Sequence, residues 1–193
     1  RGVRKIKSRM AGGIELFSVS DITFMPGRGE IGTLVSTRII THYGRIIHDI
    51  NRVRQGYELI KLVHKTTEDD TDDTYFNVLH QALIALDDHD IPLDLTRQWL
   101  QAQLLNIGGH LPNMLTDTDG AKLTSDEAYE FDFEAMGFRI RPDGPFRAES
   151  IKALRLLFSH NPPARLATVE GMIDQLPTID PILRYMAATY LRS

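Results

Sequence analysis

The sequence predicts an α+β chain that is mainly helical, with a small β element near the N-terminus and an all-α region behind it. Three observations carry this. Residues 14–40 are rich in β-branched and aromatic types and are broken by one Pro-Gly turn. From about residue 45 the apolar residues recur at three- and four-residue spacing. No apolar run approaches the roughly 18 residues that a membrane span needs.

The first strand is read over 14–24, Ile-Glu-Leu-Phe-Ser-Val-Ser-Asp-Ile-Thr-Phe, and Met25-Pro26-Gly27-Arg28-Gly29 turns it. A second strand over 31–40 runs back beside it, giving a hairpin with a long, arginine-bearing tip. Ile46, Ile50, Val53, Tyr57 and Ile60 then mark the inner face of a first helix. A second helix turns Tyr75, Phe76, Leu79, Ala82, Leu83 and Leu86 inward. A third spans roughly 93–107, carries Trp99, Leu100, Leu104 and Ile107, and stops at Gly108-Gly109. Residues 108–145 form an irregular insert, except for the alternating strand pattern of 129–133. Helices near 147–159, 163–174 and 178–192 close the chain, with Asn161-Pro162 and Asp180-Pro181 at their caps and first turns. Domain boundaries follow as 1–44 and 45–193.

The 193 residues contain no cysteine, which removes disulfides, thiolate nucleophiles and cysteine-bound zinc and fits a reducing cytoplasm. The net charge of -4 hides a strong asymmetry. Residues 1–65 carry 12 basic and 5 acidic side chains, residues 66–138 carry 2 and 16, and residues 139–193 carry 8 and 5. One end of the chain is built to meet a polyanion and the middle is not. The densest basic cluster is Arg1, Arg4, Lys5, Lys7 and Arg9, bracketed by glycines, which suits phosphate contacts or a solvated terminus equally well. With Arg28 at the hairpin tip and Arg38 on the second strand, these are the candidate nucleic-acid contacts. The acidic run 68–73 reads as a solvated loop, lacking the ligand spacing of a calcium site.

Two of these stretches carry a resemblance. Gly2-Val3-Arg4-Lys5-Ile6-Lys7-Ser8-Arg9-Met10-Ala11-Gly12, leading to Leu16-Phe17-Ser18, is similar to the basic loop of the bacterial recombination mediator RecO family. Gly27-Arg28-Gly29-Glu30-Ile31-Gly32-Thr33-Leu34 resembles that family's Gly-Arg-Gly-Glu-Leu-Gly-Thr-Leu turn, and the two patches match in order and spacing. The resemblance extends more loosely through the helices. It implies that residues 1–44 are the C-terminal part of an OB-fold, a five-stranded barrel, followed by a helical domain. Two strands and a stub cannot bury a core, and the chain starts at Arg1, so about three strands, on the order of 30 residues, are expected upstream. The implied function is DNA repair by a non-enzymatic mediator that binds single-stranded DNA, anneals complementary strands and assists recombinase loading in the bacterial nucleoid. The implied partners are RecR and the acidic tail of the single-strand-binding protein. Many members bind zinc through four cysteines after the third long helix. Here Gly108-Gly109-His110-Leu111-Pro112-Asn113 occupies that place without a cysteine, and Leu111, Leu115, Leu123, Tyr129, Phe131 and Phe133 are expected to hold 110–138 together.

The seven histidines are scattered, with no pair at helical i, i+4 spacing, so no metal and no cofactor are expected. Tyr57, Tyr75, Phe76 and Trp99 could stack on bases but sit at core-facing helical positions, which favours packing; Phe17 and Phe24 stay open between stacking and a barrel core. An acidic tail ending in an aromatic residue needs cations around an apolar pocket. Arg139, Arg141, Phe146, Arg147, Lys152 and Arg155 are the candidate patch, although packing of the helix near 147 by Phe146, Leu154 and Phe158, with its arginines solvated, is the favoured reading. Two other functions stay open: a helical protein-interaction module without its own DNA binding, and a metal-dependent hydrolase or nuclease using Asp87-Asp88-His89-Asp90.

Overall fold

The computed structural model describes residues 14–27, 32–67 and 72–191. Strands β1 (Ser18–Met25) and β2 (Thr33–His42) form an antiparallel pair running from Ser18 opposite His42 to Met25 opposite Thr33. Two register shifts leave Ile40 and Val35 as extra residues on β2, and such bulges bend and coil a strand pair. The strands begin later than the sequence pattern implies, because Phe17 takes a left-handed backbone with φ 51° and Ser18 Oγ closes a turn onto the Glu15 carbonyl at 2.7 Å. Partnered positions put Ile22, Phe24, Leu34 and Ile39 on one face of the pair. Asp21 and Arg38 meet at 3.4 Å on the other face.

Helices α1 (Ile50–Thr66), α2 (Asp73–Asp87) and α3 (Leu93–Ile107) follow. Asp49 caps α1 by accepting from the Asn51 and Arg52 amides, and Asp72 caps α2 through the Thr74 amide. That backbone bond is the main cause of the depressed pKa of the Asp72 carboxyl. Helix α3 matches the predicted range and is the hub, packed against α1, α2 and α6, which is why it is buried on nearly every side. Its buried side-chain N–H groups are bonded: Gln98 Nε2 donates to the Leu176 carbonyl at 3.1 Å, Gln103 Nε2 to that of Leu157 at 2.7 Å, and Trp99 Nε1 to that of Asn161 at 2.8 Å.

The buried face of α1 is a correction. It consists of Arg52, Gln55, Gly56, Leu59 and Val63, turned roughly a third of a turn from the apolar stripe in the sequence. Ile50 is 76% exposed and Tyr57 53%. Arg52 explains the rotation. Its guanidinium donates to the carbonyls of Leu86 (2.8 Å), Asp88 (3.0 Å), His89 (3.2 Å) and Ile91 (3.1 Å), closing the end of α2 and the link to α3. On α2, Tyr75, Ala82, Leu83 and Leu86 are buried as expected, but Phe76 faces outward and is 53% exposed.

The insert contains a second hairpin, β3 (Tyr129–Asp132) with β4 (Gly137–Ile140), whose turn places Met136 at φ 49°. Leu111 and Leu115 do not hold it: Leu115 is 72% exposed. Instead the Phe138 ring is fully enclosed, edge-on to Tyr129, Phe131 and Phe146 at centroid distances of 6.3, 5.2 and 5.6 Å. Helices α4 (Ala148–Leu157), α5 (Pro163–Leu166) and α6 (Met172–Tyr190) close the chain. Pro162 and Pro163 open α5 as the sequence implied. Pro181 does not start a helix; α6 begins at Met172 and runs through both Pro177 and Pro181. Among the described residues no helix is long and apolar enough to cross a membrane.

Candidate nucleic-acid interface

The β1–β2 pair is fastened to the helices at its base. Phe17, immediately before β1, is buried against α1 at Gly56, where an added Cβ would lie 2.5 Å from Phe17 Cε1. Only glycine admits the ring there. The Phe17 carbonyl accepts from the Tyr43 amide at 2.9 Å, tying the two strand ends together. Tyr43 is buried, and its Oη lies 2.6 Å from His80 Nδ1 on α2. Burial, helped by the nearby Asp87 carboxylate, pushes the Tyr43 phenol up to about 12. Asp87 itself accepts from the amides of Arg45 (2.7 Å) and Ile46 (3.1 Å). His89 Nε2 bonds the Arg45 carbonyl at 3.1 Å. Asp87 and His89 are therefore engaged with backbone groups, and no three His, Asp or Glu side chains converge as metal ligands among the described residues.

Beyond that base the hairpin stands free. No residue of β1 or β2 is buried, and Phe24 on the apolar face is 63% exposed. Of the candidate nucleic-acid contacts, Arg38 is on β2 with its side chain largely in solvent and Asp21 as its exposed partner. Arg1, Arg4, Lys5, Lys7, Arg9 and Arg28 lie outside the described residues, as does acidic 68–71. Phe17 resolves as an anchor and Phe24 as an exposed ring. Trp99 and Tyr75 are interior, whereas Tyr57 and Phe76 are at the surface. Nothing in the apolar spacing distinguished those two pairs.

The candidate tail-binding residues do not share one pocket: Phe146 lines an open apolar hollow with Phe131, Phe133, Pro177 and Pro181, and Lys152 edges another beside Leu156, Val169 and Met172. Phe146, Leu154 and Phe158 are buried in the core. Arg139 pairs with Asp132 and, at 3.9 Å, with Glu130; Arg141 pairs with Glu130. Arg155 donates to the Met114 carbonyl. Arg147 precedes α4, and Lys152 with Arg155 edges a small pocket of about 120 Å³ beside Leu123 and Ile151.

Fold and interface together define a mainly helical α+β protein that presents a base-anchored, half-covered β hairpin. No protein-family model matches the chain. It is similar to DNA repair protein RecO of Alkaliphilus metalliredigens, 26% identical over 138 residues covering 71% of this chain and 55% of that protein. RecO of Listeria welshimeri is 30% identical over 134 residues, 69% of this chain and 50% of the relative. RecO of Roseiflexus is 29% identical over 115 residues, 59% and 40% respectively. The protein is RecO-like, and it spans about half the length of the curated relatives it matches.

Proposed function

We propose that this chain is a DNA repair and recombination mediator that binds single-stranded DNA, anneals complementary strands and assists recombinase loading together with RecR, without catalysing a reaction. The observation that carries the reading is the bare β1–β2 hairpin. On its apolar face (Ile22, Phe24, Leu34, Ile39) no residue is buried and Ile22 and Phe24 are more than half exposed, and its other face bears Arg38 and Asp21. One apolar face and two bulges are what a strand pair needs to curl into a barrel, so residues 1–44 are assigned to an OB-fold and 45–193 to a helical domain. The basic residues Arg1, Arg4, Lys5, Lys7, Arg9 and Arg28 belong in sequence to the same element and supply phosphate contacts with Arg38. The acidic tail of the single-strand-binding protein is assigned to the α4 side, where Arg147, Lys152 and Arg155 supply cations. The similarity to RecO proteins of three bacterial genera supports the reading.

The experiment is titration of labelled single- and double-stranded oligonucleotides across a range of salt. Single strands should bind, with log affinity falling linearly against log salt. A protein that binds neither form would be the helical interaction module instead.

A further inference from the structure

The link between α2 and α3, residues 86–91, faces two ways. Its carbonyls at Leu86, Asp88, His89 and Ile91 accept from the guanidinium of Arg52, which is buried and has no carboxylate partner among the described residues. Its side chains at Asp87 and His89 reach the segment that leaves β2. There Asp87 accepts from the Arg45 and Ile46 amides at 2.7 and 3.1 Å, and His89 Nε2 donates to the Arg45 carbonyl at 3.1 Å. We infer that Arg52, Asp87 and His89 are positioning residues that together set the direction in which the β1–β2 hairpin projects from the helices; the use of that direction rests on the single-strand-binding reading above.

The hairpin meets the helices at its base, through Phe17, Val19 and Tyr43. Phe17 against Gly56 and Tyr43 against His80 are joined by the bond from the Tyr43 amide to the Phe17 carbonyl, so they act as one attachment. A strand pair held at one attachment can still swing about it. The second attachment is the grip of Asp87 and His89 on Arg45 and Ile46, past the turn at Gly44. That grip is only as firm as the link that makes it.

The link has few bonds of its own, the Ile91 amide to the Asp88 carbonyl and the Asp90 amide to the Asp88 carboxylate among them. Arg52 supplies the rest. One guanidinium nitrogen serves Leu86 and Asp88, and the other serves His89 and Ile91. The donors of a planar fork lie at fixed angles, so one rigid plate holds both stretches of the link. The bonds therefore run without a gap from α1, through the link, to the end of β2. A strand held by the hairpin then lies at a fixed place relative to the α4 side, where the acidic tail is assigned.

The test is a distance distribution between spin labels on the full chain at Ser36→Cys on β2 and Asp174→Cys on α6, both exposed positions. The chain has no cysteine of its own, so only these two sites take the label. The parent pair should give one narrow distribution. Asp87→Ala with His89→Ala should broaden it and add a second, displaced population. Asp87→Asn, which keeps an acceptor oxygen for the two amides, should stay narrow. Arg52→Lys should broaden it, because one ammonium cannot serve four carbonyls as the fork does. A thermal melt shows that each variant is folded; if the lysine variant is not, the Asp87 and His89 double variant decides. Hydrogen-exchange protection across β1–β2 should persist in the folded variants, as it does in a hairpin that swings without melting. A broad parent distribution, or an unchanged one in the double variant or in folded Arg52→Lys, would overturn the assignment, as would loss of β1–β2 protection together with the distance. No DNA enters the measurement, so failure here leaves the single-strand reading standing, and failure to bind single strands leaves this result standing.

Discussion

The chain contains two antiparallel hairpins, and they are used in opposite ways. In β3–β4, Tyr129, Phe131 and Phe138 are buried, and the pair is bridged to the chain before α4 by mutual bonds between Tyr129 and Phe146. In β1–β2 no strand residue is buried; the flanking Phe17 and Tyr43 enter the core, and Val19 packs against it from β1. An isolated two-stranded hairpin is marginal in water, so burial at the base is what fixes the first pair. The lesson is that the aromatic content of a strand does not decide its role. Phe138 stabilises the fold, whereas Phe24, on an equally β-prone strand, remains a surface that another element or a ligand can cover.

The sharpest way to break this comparison is one substitution made in both hairpins. Phe138→Ala removes an enclosed ring with three aromatic neighbours and should cost about 3–5 kcal/mol. Phe24→Ala should change stability by about 0.5 kcal/mol or less. Chemical denaturation of the two variants decides it, and equal losses would mean that the first hairpin is packed after all.

Gly56→Ala addresses the anchor. Alanine ordinarily strengthens a helix interior by up to about 1 kcal/mol, but here the new methyl overlaps the Phe17 ring. We expect a net loss of about 1–3 kcal/mol, with hydrogen-exchange protection falling in β1 and β2 while α3 and α6 keep theirs. A stabilised variant would show that Phe17 is not seated against Gly56.

Tyr43→Phe is a smaller change than Gly56→Ala. It deletes the bond to His80 and should cost about 1 kcal/mol near neutral pH. Because the folded phenol is raised to about 12 from an ordinary value near 10, its contribution is fully present below pH 10. It is lost as pH rises from about 10 through about 12, where the unfolded chain ionises first. Wild type should therefore lose more stability than Tyr43→Phe across that interval, and parallel losses would count against a buried neutral phenol.

Legibility in the sequence followed the kind of burial. Helix α3 is readable to its ends because it is enclosed on most sides and stops at Gly108. Helix α1 misleads, since its buried face contains Arg52 and Gln55, polar residues that belong inside only because carbonyls of α2 and of the segment leading into α3 are there to receive them. Strand β4 is four residues long with one enclosed aromatic, too short for alternation to register. The α6 boundary was hidden by prolines, which mark helix starts more often than they sit inside a helix. For the candidate interface, charge density in the sequence nominates the basic segment 1–9, which lies outside the described residues. The exposure of Tyr57 and Phe76 was not legible, because it depends on how α1 is rotated and on which face of α2 meets the core.

The central claim is that the N-terminal β element binds single-stranded DNA through its cations, and one measurement meets it directly. The affinity of the full chain for a homothymidine oligonucleotide is followed across salt, for wild type and for the fourfold variant Arg4→Gln, Lys5→Gln, Lys7→Gln, Arg9→Gln. At about 0.7 of slope per phosphate contact on a single strand, the account predicts a log–log salt slope shallower by about 3 in the variant. An unchanged slope would contradict it.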